Sequence, residues 1–422
     1  MGYIEEYLTF VRKHGAPEKY KLWCATYTVA CALGRRVWWG DKEFAPEFPN
    51  LYVILVGPPS SLRKSTCIKV AQKIVLNSDV THIMSAGGSK VGHLREFKAC
   101  QIPYPTPALT YRDIVQGAEA AYFEHELSDL LGGTRADDEF IQWLQTWFDS
   151  QPDELPWKYV TVVREKDPDI LYKHYLCFLA GTTERYIQTK FPHGCAEEGF
   201  GSRVLWIIQK EKDKQRGKPD FDPQEGVALS KRLNWIKHNV KGEVTMTSAA
   251  EKYLATYDDI IDDLMTSFHN TAVGGFLARQ PTYMKKVAMV RAASETTTTG
   301  PLIIEADHLE WAYDQLKDLE SGLMHLAEEL NADAPTRCAM GIRQVLQQNI
   351  VEVVIDGQTR RIPGMVESEV KERFIPKWGP KDYSAAMRIL QDQEWALRSG
   401  TPFKVNGYKR ARRVIFIPKE ED

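Results

Sequence analysis

One segment constrains this chain more than any other: Leu51-Tyr-Val-Ile-Leu-Val-Gly57-Pro58-Pro59-Ser60-Ser61-Leu62-Arg63-Lys64-Ser65-Thr66. An apolar run ends in Gly57, small residues follow, and Cys67 to Leu76 has helical spacing beyond Lys64. Strand, loop and helix in this order form a phosphate-binding loop: backbone N–H groups of the loop and of the helix N-terminus face an anion. Gly57, Pro58, Pro59, Ser60, Ser61, Arg63, Lys64, Ser65 and Thr66 are the expected nucleotide contacts. Lys64 is expected on the β- and γ-phosphates of ATP, and the Ser65 hydroxyl on Mg²⁺. The usual pattern has four residues between two glycines, with Lys directly after the second. Here the loop is one residue longer, and Arg63 stands in the second glycine's place, where positive φ costs more than it does for Gly. A strand-turn-helix without a nucleotide is the alternative.

With 422 residues the chain is long enough for two or three domains. The 43% hydrophobic and 26% charged residues are those of an ordinary globular protein, and a net charge of −3 requires any nucleic-acid surface to be local. Cys24, Cys31, Cys67, Cys100, Cys177, Cys195 and Cys338 contain no CxxC pair, which argues against zinc and for reduced thiols. The N-terminus has no basic start or apolar signal core, and no stretch has membrane-spanning length free of charge. A cytoplasmic protein is expected.

Residues 1–50 read as a helical N-terminal segment, with Tyr20 to Val37 packing on the core. Residues 51–215 alternate strands and helices, as an α/β sheet requires. Strands are expected at Leu51–Val56, Ala120–Phe123, Tyr175–Ala180 and Val204–Ile208. Residues 216–332 read as a helical lid after a charged linker, Glu211 to Asp222. Residues 333–422 read as three helices (Arg337–Gln348, Val366–Phe374 and Asp382–Leu397) and then a hairpin turning at Asn406-Gly407, an order that predicts a winged helix.

A phosphate loop needs an acid to hold Mg²⁺ and another to orient the attacking water. The run Ala120-Ala-Tyr-Phe ends in Glu124-His125-Glu126. Glu126 is the expected water-orienting acid, and Glu124 the Mg²⁺ ligand acting through water. A helix N-terminus rich in acids is the alternative. Leu176-Cys-Phe-Leu-Ala-Gly181-Thr182-Thr183 ends a further strand. There Thr183, with Thr182 close behind, either senses the γ-phosphate or caps the helix of Glu184–Lys190. Arg203 precedes another apolar strand. It either neutralises transition-state charge on a phosphoryl group or pairs with Glu197 or Glu198.

The set Gly57-Pro-Pro, Lys64-Ser65, Glu126-Leu127, Gly181-Thr-Thr183 and Gly199-Phe-Gly-Ser-Arg203 resembles phage and prophage P-loop ATPases of replicative-helicase type. The spacing from Gly181-Thr-Thr to Ser202-Arg203 also resembles the sensor and arginine-finger arrangement of minichromosome-maintenance-type AAA+ helicases. The resemblance covers residues 20–295. It implies a P-loop NTPase core of AAA+ or RecA-like kind, a lid helix after Arg279-Gln-Pro281, and Arg279 as a second phosphate sensor. It also implies a homo-oligomeric ring, with a hexamer the commonest closed form, in which Arg203 serves the neighbouring subunit's nucleotide. His125 stands where an Asp is more often found.

From Arg398 to Arg413 there are six basic residues and no acid. Lys404, Lys409, Arg410, Arg412 and Arg413, interleaved with Phe403 and Tyr408, are the expected contacts to the backbone of single- or double-stranded DNA. A solvated strand edge guarded by basic residues is the alternative. The expected function is an ATP-dependent DNA helicase or translocase of phage or mobile-element replication, working in the host cytoplasm with other replication proteins. The second expectation is an ATP-switched initiator or helicase loader. A packaging motor is weaker, because no nuclease carboxylate cluster follows the ATPase segment.

Overall fold

Six consecutive apolar residues from Leu51 leave no polar face, so the strand they form has to be covered on both sides. In the computed structural model this strand, β1 (Tyr52–Val56), is buried along its whole length. The structure describes residues 2–59, 62–85, 87–103, 114–131, 135–149, 152, 155–160, 168–190, 199–211, 221–265, 272–331, 334–355, 358–392 and 396–417. They fall into two compact units, Met1–Ala327 and Glu328–Asp422.

The first unit is built on a five-stranded, fully parallel sheet. Its strands are β1, β2 (His82–Ile83), β3 (Glu119–Glu124), β4 (Tyr175–Thr182) and β5 (Leu205–Ile208), in the spatial order β5-β1-β4-β3-β2. The four expected strands lie side by side in it. The edge strand β2 was not expected, since two residues carry no periodicity. Among the described residues, twelve α-helices begin in this unit: α1 (Tyr3–Phe10), α2 (Glu18–Leu33), α3 (Lys64–Ser78), α4 (Lys90–Ala99), α5 (Leu127–Leu131), α6 (Arg135–Phe148), α7 (Glu184–Lys190), α8 (Pro223–Asn239), α9 (Ser248–Met265), α10 (Ala272–Leu277), α11 (Gln280–Glu295) and α12 (Ala306–Asn331).

Helix α2 is apolar nearly all round and is buried against α1, α3, α8 and α11, as a helix with no polar face must be. Tyrosines tie it to the sheet. Tyr20 donates to the Val56 carbonyl at 2.6 Å and Tyr27 to the Tyr122 carbonyl at 2.7 Å, while Tyr175 of β4 donates to Ala30 at 2.7 Å. No helix among the described residues is long and apolar enough to cross a membrane.

The second unit departs from the order of three helices and a terminal hairpin. Helix α13 (Ala334–Gln348) is followed by a long hairpin of β6 (Ile350–Ile355) and β7 (Gln358–Val366). Helix α14 (Glu367–Asp392) then breaks at Gly379, where φ is 81°, so it joins the second expected helix to the third by a kink. The third ends at Asp392, short of the expected Leu397, which is in a strand. Strands β8 (Leu397–Arg398), β9 (Lys404–Val405) and β10 (Val414–Phe416) complete an antiparallel sheet in the order β8-β10-β7-β6-β9. The Asn406-Gly407 reversal is present, with Gly407 at φ 85°. It turns β9 back from β6 inside a wide loop closed by one bridge, Phe403 to Arg412, rather than joining two paired strands.

Candidate functional site

The chain is tightly packed at the carboxyl end of β1. A Cβ on Gly57 would stand 2.6 Å from both the Gln209 carbonyl oxygen and the Tyr20 hydroxyl. Glycine is therefore required there by close approach. The Val56 carbonyl accepts from Tyr20 and, at 3.0 Å, from the Gln209 N–H, and the Gly57 N–H donates to Thr182 at 3.3 Å. At the far end of the loop Arg63 has φ 55° and ψ 32°, and α3 begins at the next residue. Arg63 thus takes the left-handed conformation of the glycine it replaces, at a cost of about 1–2 kcal/mol. Lys64 reaches back across the loop, donating to the Gly57 carbonyl at 2.8 Å and to Pro58 at 2.9 Å. It is only 6% exposed. Burial lowers its pKa, and the charge of Glu126 works the other way. Ser65 and Thr66 occupy the first turn of α3; Ser60 and Ser61 lie outside the described residues.

Strand β4 lies between β1 and β3, so the ends of β3 and β4 open beside the loop. Glu124, the last residue of β3, is 3% exposed, and its Oε1 has no hydrogen-bond partner among the described residues. Burial, with Asp129 second, pushes its carboxyl up to about 7. Glu126 is exposed; burial raises its pKa, and Lys64 pulls it down. The structure therefore brings Lys64 and Glu126 into electrostatic contact. Gly181 packs under this turn, where a Cβ would stand 2.7 Å from the His125 carbonyl. Thr183 Oγ1 accepts from the Tyr186 N–H at 3.2 Å, so it caps α7, while Thr182 is buried with its carbonyl on Gly57. No group of three His, Cys, Asp or Glu side chains among the described residues could hold a metal by itself. A hydroxyl on the first turn of α3 and a carboxylate with an uncommitted oxygen suit Mg²⁺, which keeps waters and takes phosphate oxygens as its other ligands.

Arg203 and Arg279 lie elsewhere. Leu205 is level with Val53 in the β5–β1 register, which puts Arg203 beside the entry to β1, roughly 20 Å of strand from Gly57 at about 3.3 Å per residue. Its Nε donates to both Asp149 carboxylate oxygens at 3.1 Å, Nη2 also meets Asp149, and Nη1 donates to Gly199 at 2.9 Å. Glu197 and Glu198 are outside the described residues; the partner present is Asp149. Arg279, just before α11, donates to Asp149 at 3.3 Å and to the Ser202 hydroxyl at 3.2 Å. It therefore stands beside Arg203 and not at its own phosphate loop. Sequence reasoning missed Asp149 entirely. Its one signal is a carboxylate directly after the C-terminus of α6, where the helix dipole disfavours it.

A cleft of about 450 Å³ is lined by Leu8, Pro17, Lys19, Leu22, Gln209 and Asp318 among others. It shares Gln209 with the surroundings of Gly57, and the ion pair of Lys19 with Asp318 (2.8 Å) stands at it. In the second unit Lys404, Lys409, Arg410, Arg412 and Arg413 are all exposed. Arg398 is held by Glu367 at 2.8 and 2.9 Å, which removes it from the free basic set. The unexpected hairpin adds Arg360, exposed and opposite Val353, which pairs on its other side with Val405. Alternating Val-Glu-Val followed by Asp356-Gly357 was the signal for that hairpin.

No protein-family model and no curated protein matches the chain. Among solved structures, a full-length MCM homolog from Methanopyrus kandleri is similar over 77% of this chain, with 12% identity and a TM-score of 0.40. This chain spans 59% of that protein's length.

Two outcomes follow from the loop and the acid beside it. Arg63→Gly should leave thermal stability equal or raise it by up to about 1 kcal/mol, whereas Arg63→Val should lower it by about 1–2 kcal/mol, because a branched side chain tolerates φ 55° poorly; equal unfolding temperatures for the two variants would remove strain as the cause. Glu124 has a folded pKa near 7, above the ordinary carboxylate value of 4.5. Between those values the folded state holds a proton that the unfolded state has lost, so this group's contribution to stability falls as pH rises through the window. Without Mg²⁺, Glu124→Gln should match the parent near pH 4.5 and unfold at a higher temperature at pH 8, as read by thermal melts across the range.

Proposed function

We propose that this chain is an ATPase that binds ATP and Mg²⁺ on the Gly57–Thr66 loop and uses hydrolysis to move or unwind DNA. The observation that carries the reading is that Lys64, Glu124 and Glu126 all stand past the carboxyl ends of the parallel strands β1 and β3, with β4 between them and Lys64 in electrostatic contact with Glu126, at the end where open α/β sheets bind ligands. Lys64 exchanges the Gly57 and Pro58 carbonyls for phosphate oxygens. The hydroxyl of Ser65 and the carboxylate of Glu124 face Mg²⁺, the second through water. Glu126 orients the attacking water, and Thr183, while capping α7, presents a hydroxyl near the γ-phosphate. The base and ribose extend toward the cleft at Gln209, under the helical lid of residues 216–332. Arg203 and Arg279, too far from their own loop, serve the nucleotide of a neighbouring subunit, which makes the active form a head-to-tail ring. Lys404, Lys409, Arg410, Arg412 and Arg413 of the C-terminal domain, with Arg360, contact the DNA backbone.

A second reading, an initiator or loader that uses ATP as an assembly switch, draws on Lys64. Its ammonium is already satisfied by the loop, which favours slow binding and slow turnover. ATP hydrolysis with and without single- and double-stranded DNA, measured together with oligomeric mass, separates the two. Strong DNA stimulation supports the motor, and slow turnover with ATP-dependent assembly supports the switch.

Lys64→Ala should abolish ATP binding in a folded protein, and Glu126→Gln should bind ATP normally yet lose most turnover. If Glu124→Gln alone behaves in that second way, the two carboxylate roles are exchanged. Replacing Lys409, Arg410, Arg412 and Arg413 together with Ala should weaken DNA binding and flatten the dependence of log affinity on log salt by as much as about 0.9 per lost phosphate contact for duplex DNA. An unchanged slope takes this loop out of the interface.

A further inference from the structure

We infer that Asp149 is a positioning residue that holds Arg203 and Arg279 together on one carboxylate, ready for a phosphate carried by another subunit. The inference rests on the reading of Arg203 given above and adds to it a residue and a mechanism.

Three elements that are distant in sequence converge here. The end of α6 brings Asp149, the turn before β5 brings Gly199, Ser202 and Arg203, and the start of α11 brings Arg279 and Tyr283. The Tyr283 hydroxyl donates to the Ser202 carbonyl at 3.0 Å, and the Ser202 hydroxyl donates to Gly199 at 2.9 Å while receiving Arg279. The turn is thereby fixed, and both guanidiniums are hung from it. One carboxylate then faces two cations. Nε and Nη2 of Arg203 grip it as a fork, the arrangement that fixes a guanidinium's plane as well as its distance. Nε, Nη1 and Nη2 each give one N–H to an acceptor among the described residues, and a guanidinium has five, so among the described residues two are left to meet an anion.

The charge balance points the same way. Two arginines and one aspartate leave the cluster with a net charge of +1. Asp149 is 42% exposed, against 14% for Arg203 and 28% for Arg279, so the cluster meets solvent. Burial and the neighbouring charge of Arg203 both oppose the charge on Arg279, and Asp149 offsets them. Without the carboxylate, two cations held side by side repel and separate. A carboxylate after the last turn of α6 is unfavourable for the helix itself, so nothing local accounts for it. Its use is to hold the arginines.

Asp149→Asn keeps size and removes charge. It should bind ATP with unchanged affinity and keep its KM within about twofold, while kcat falls by about a hundredfold, the usual loss when a catalytic group is displaced by an ångström. Asp149→Glu, which restores the carboxylate, should recover part of that kcat. The decisive readout is subunit mixing: Asp149→Asn mixed with Lys64→Ala should regain activity, because mixed interfaces pair an intact loop with an intact arginine pair. Asp149→Asn mixed with Arg203→Ala should regain none. Full activity of Asp149→Asn beside an inactive Arg203→Ala overturns the inference and leaves the reading of Arg203 standing. Full activity of Arg203→Ala itself overturns that reading, and the role of Asp149 with it.

Discussion

Everything at the carboxyl end of β1 depends on the crowding around the Val56 carbonyl. That oxygen receives two donors, Tyr20 from α2 and Gln209 from the end of β5, and the next residue has no room for a methyl group. A buried carbonyl is costly unless satisfied. The tyrosine hydroxyl satisfies this one and also fixes where α2 lies across the sheet. The loop therefore leaves β1 in one direction, with its first carbonyls turned toward Lys64. A helix without a polar face is an expensive object in water, but here it is the rigid wall that sets the start of the loop. The same logic repeats along its length, where Tyr27 and Tyr175 join α2 to β3 and β4.

The two ends of the sheet have opposite chemistry. At the carboxyl ends stand one lysine and two acids. Glu124 is pushed toward its neutral form by burial; burial raises the pKa of Glu126 as well, and there Lys64 works against it. Neighbouring carboxylates in different environments can take different roles, one toward a metal and the other toward water. At the entry end two arginines share one carboxylate. Strand length keeps the two sets apart, so no side-chain rotation brings Arg203 to its own Lys64.

The sequence was most legible where structure is local. The strand and helix around Gly57 and the short helix after Thr183 are set by apolar runs and caps that lie within a few residues of one another: β1 and α7 match their expected bounds to within one residue, and α3 starts three residues before Cys67 and ends two after Leu76. Arg63 was recognised as the residue that must take a glycine's conformation, and it does so. What could not be read was long-range. Asp149 meets Arg203 across 54 positions and Arg279 across 130, and nothing near Asp149 announces them. The hairpin at 350–366 is a different kind of miss. The sequence there alternates and carries Asp356-Gly357, but it lies between the expected helices Arg337–Gln348 and Val366–Phe374, where no strand was expected. Arg398 shows the limit of counting charge, since Glu367 had already taken it.

A separation of roughly 20 Å between the phosphate loop and the arginine pair has a consequence for assembly. A patch that completes a different patch on the next copy makes a heterologous contact, which closes into a ring only when its rotation divides a full turn. In such an arrangement each nucleotide is a bridge, held by the loop of one subunit and the arginines of the next. Its binding energy is then shared between folding the loop around phosphate and joining two chains. On the proposed reading, losing the γ-phosphate would weaken the joint and the loop together, turning hydrolysis within one subunit into movement between two. Asp149 would make this reversible: with no phosphate present the arginines keep a counterion, so the interface would open without leaving two uncompensated charges facing each other.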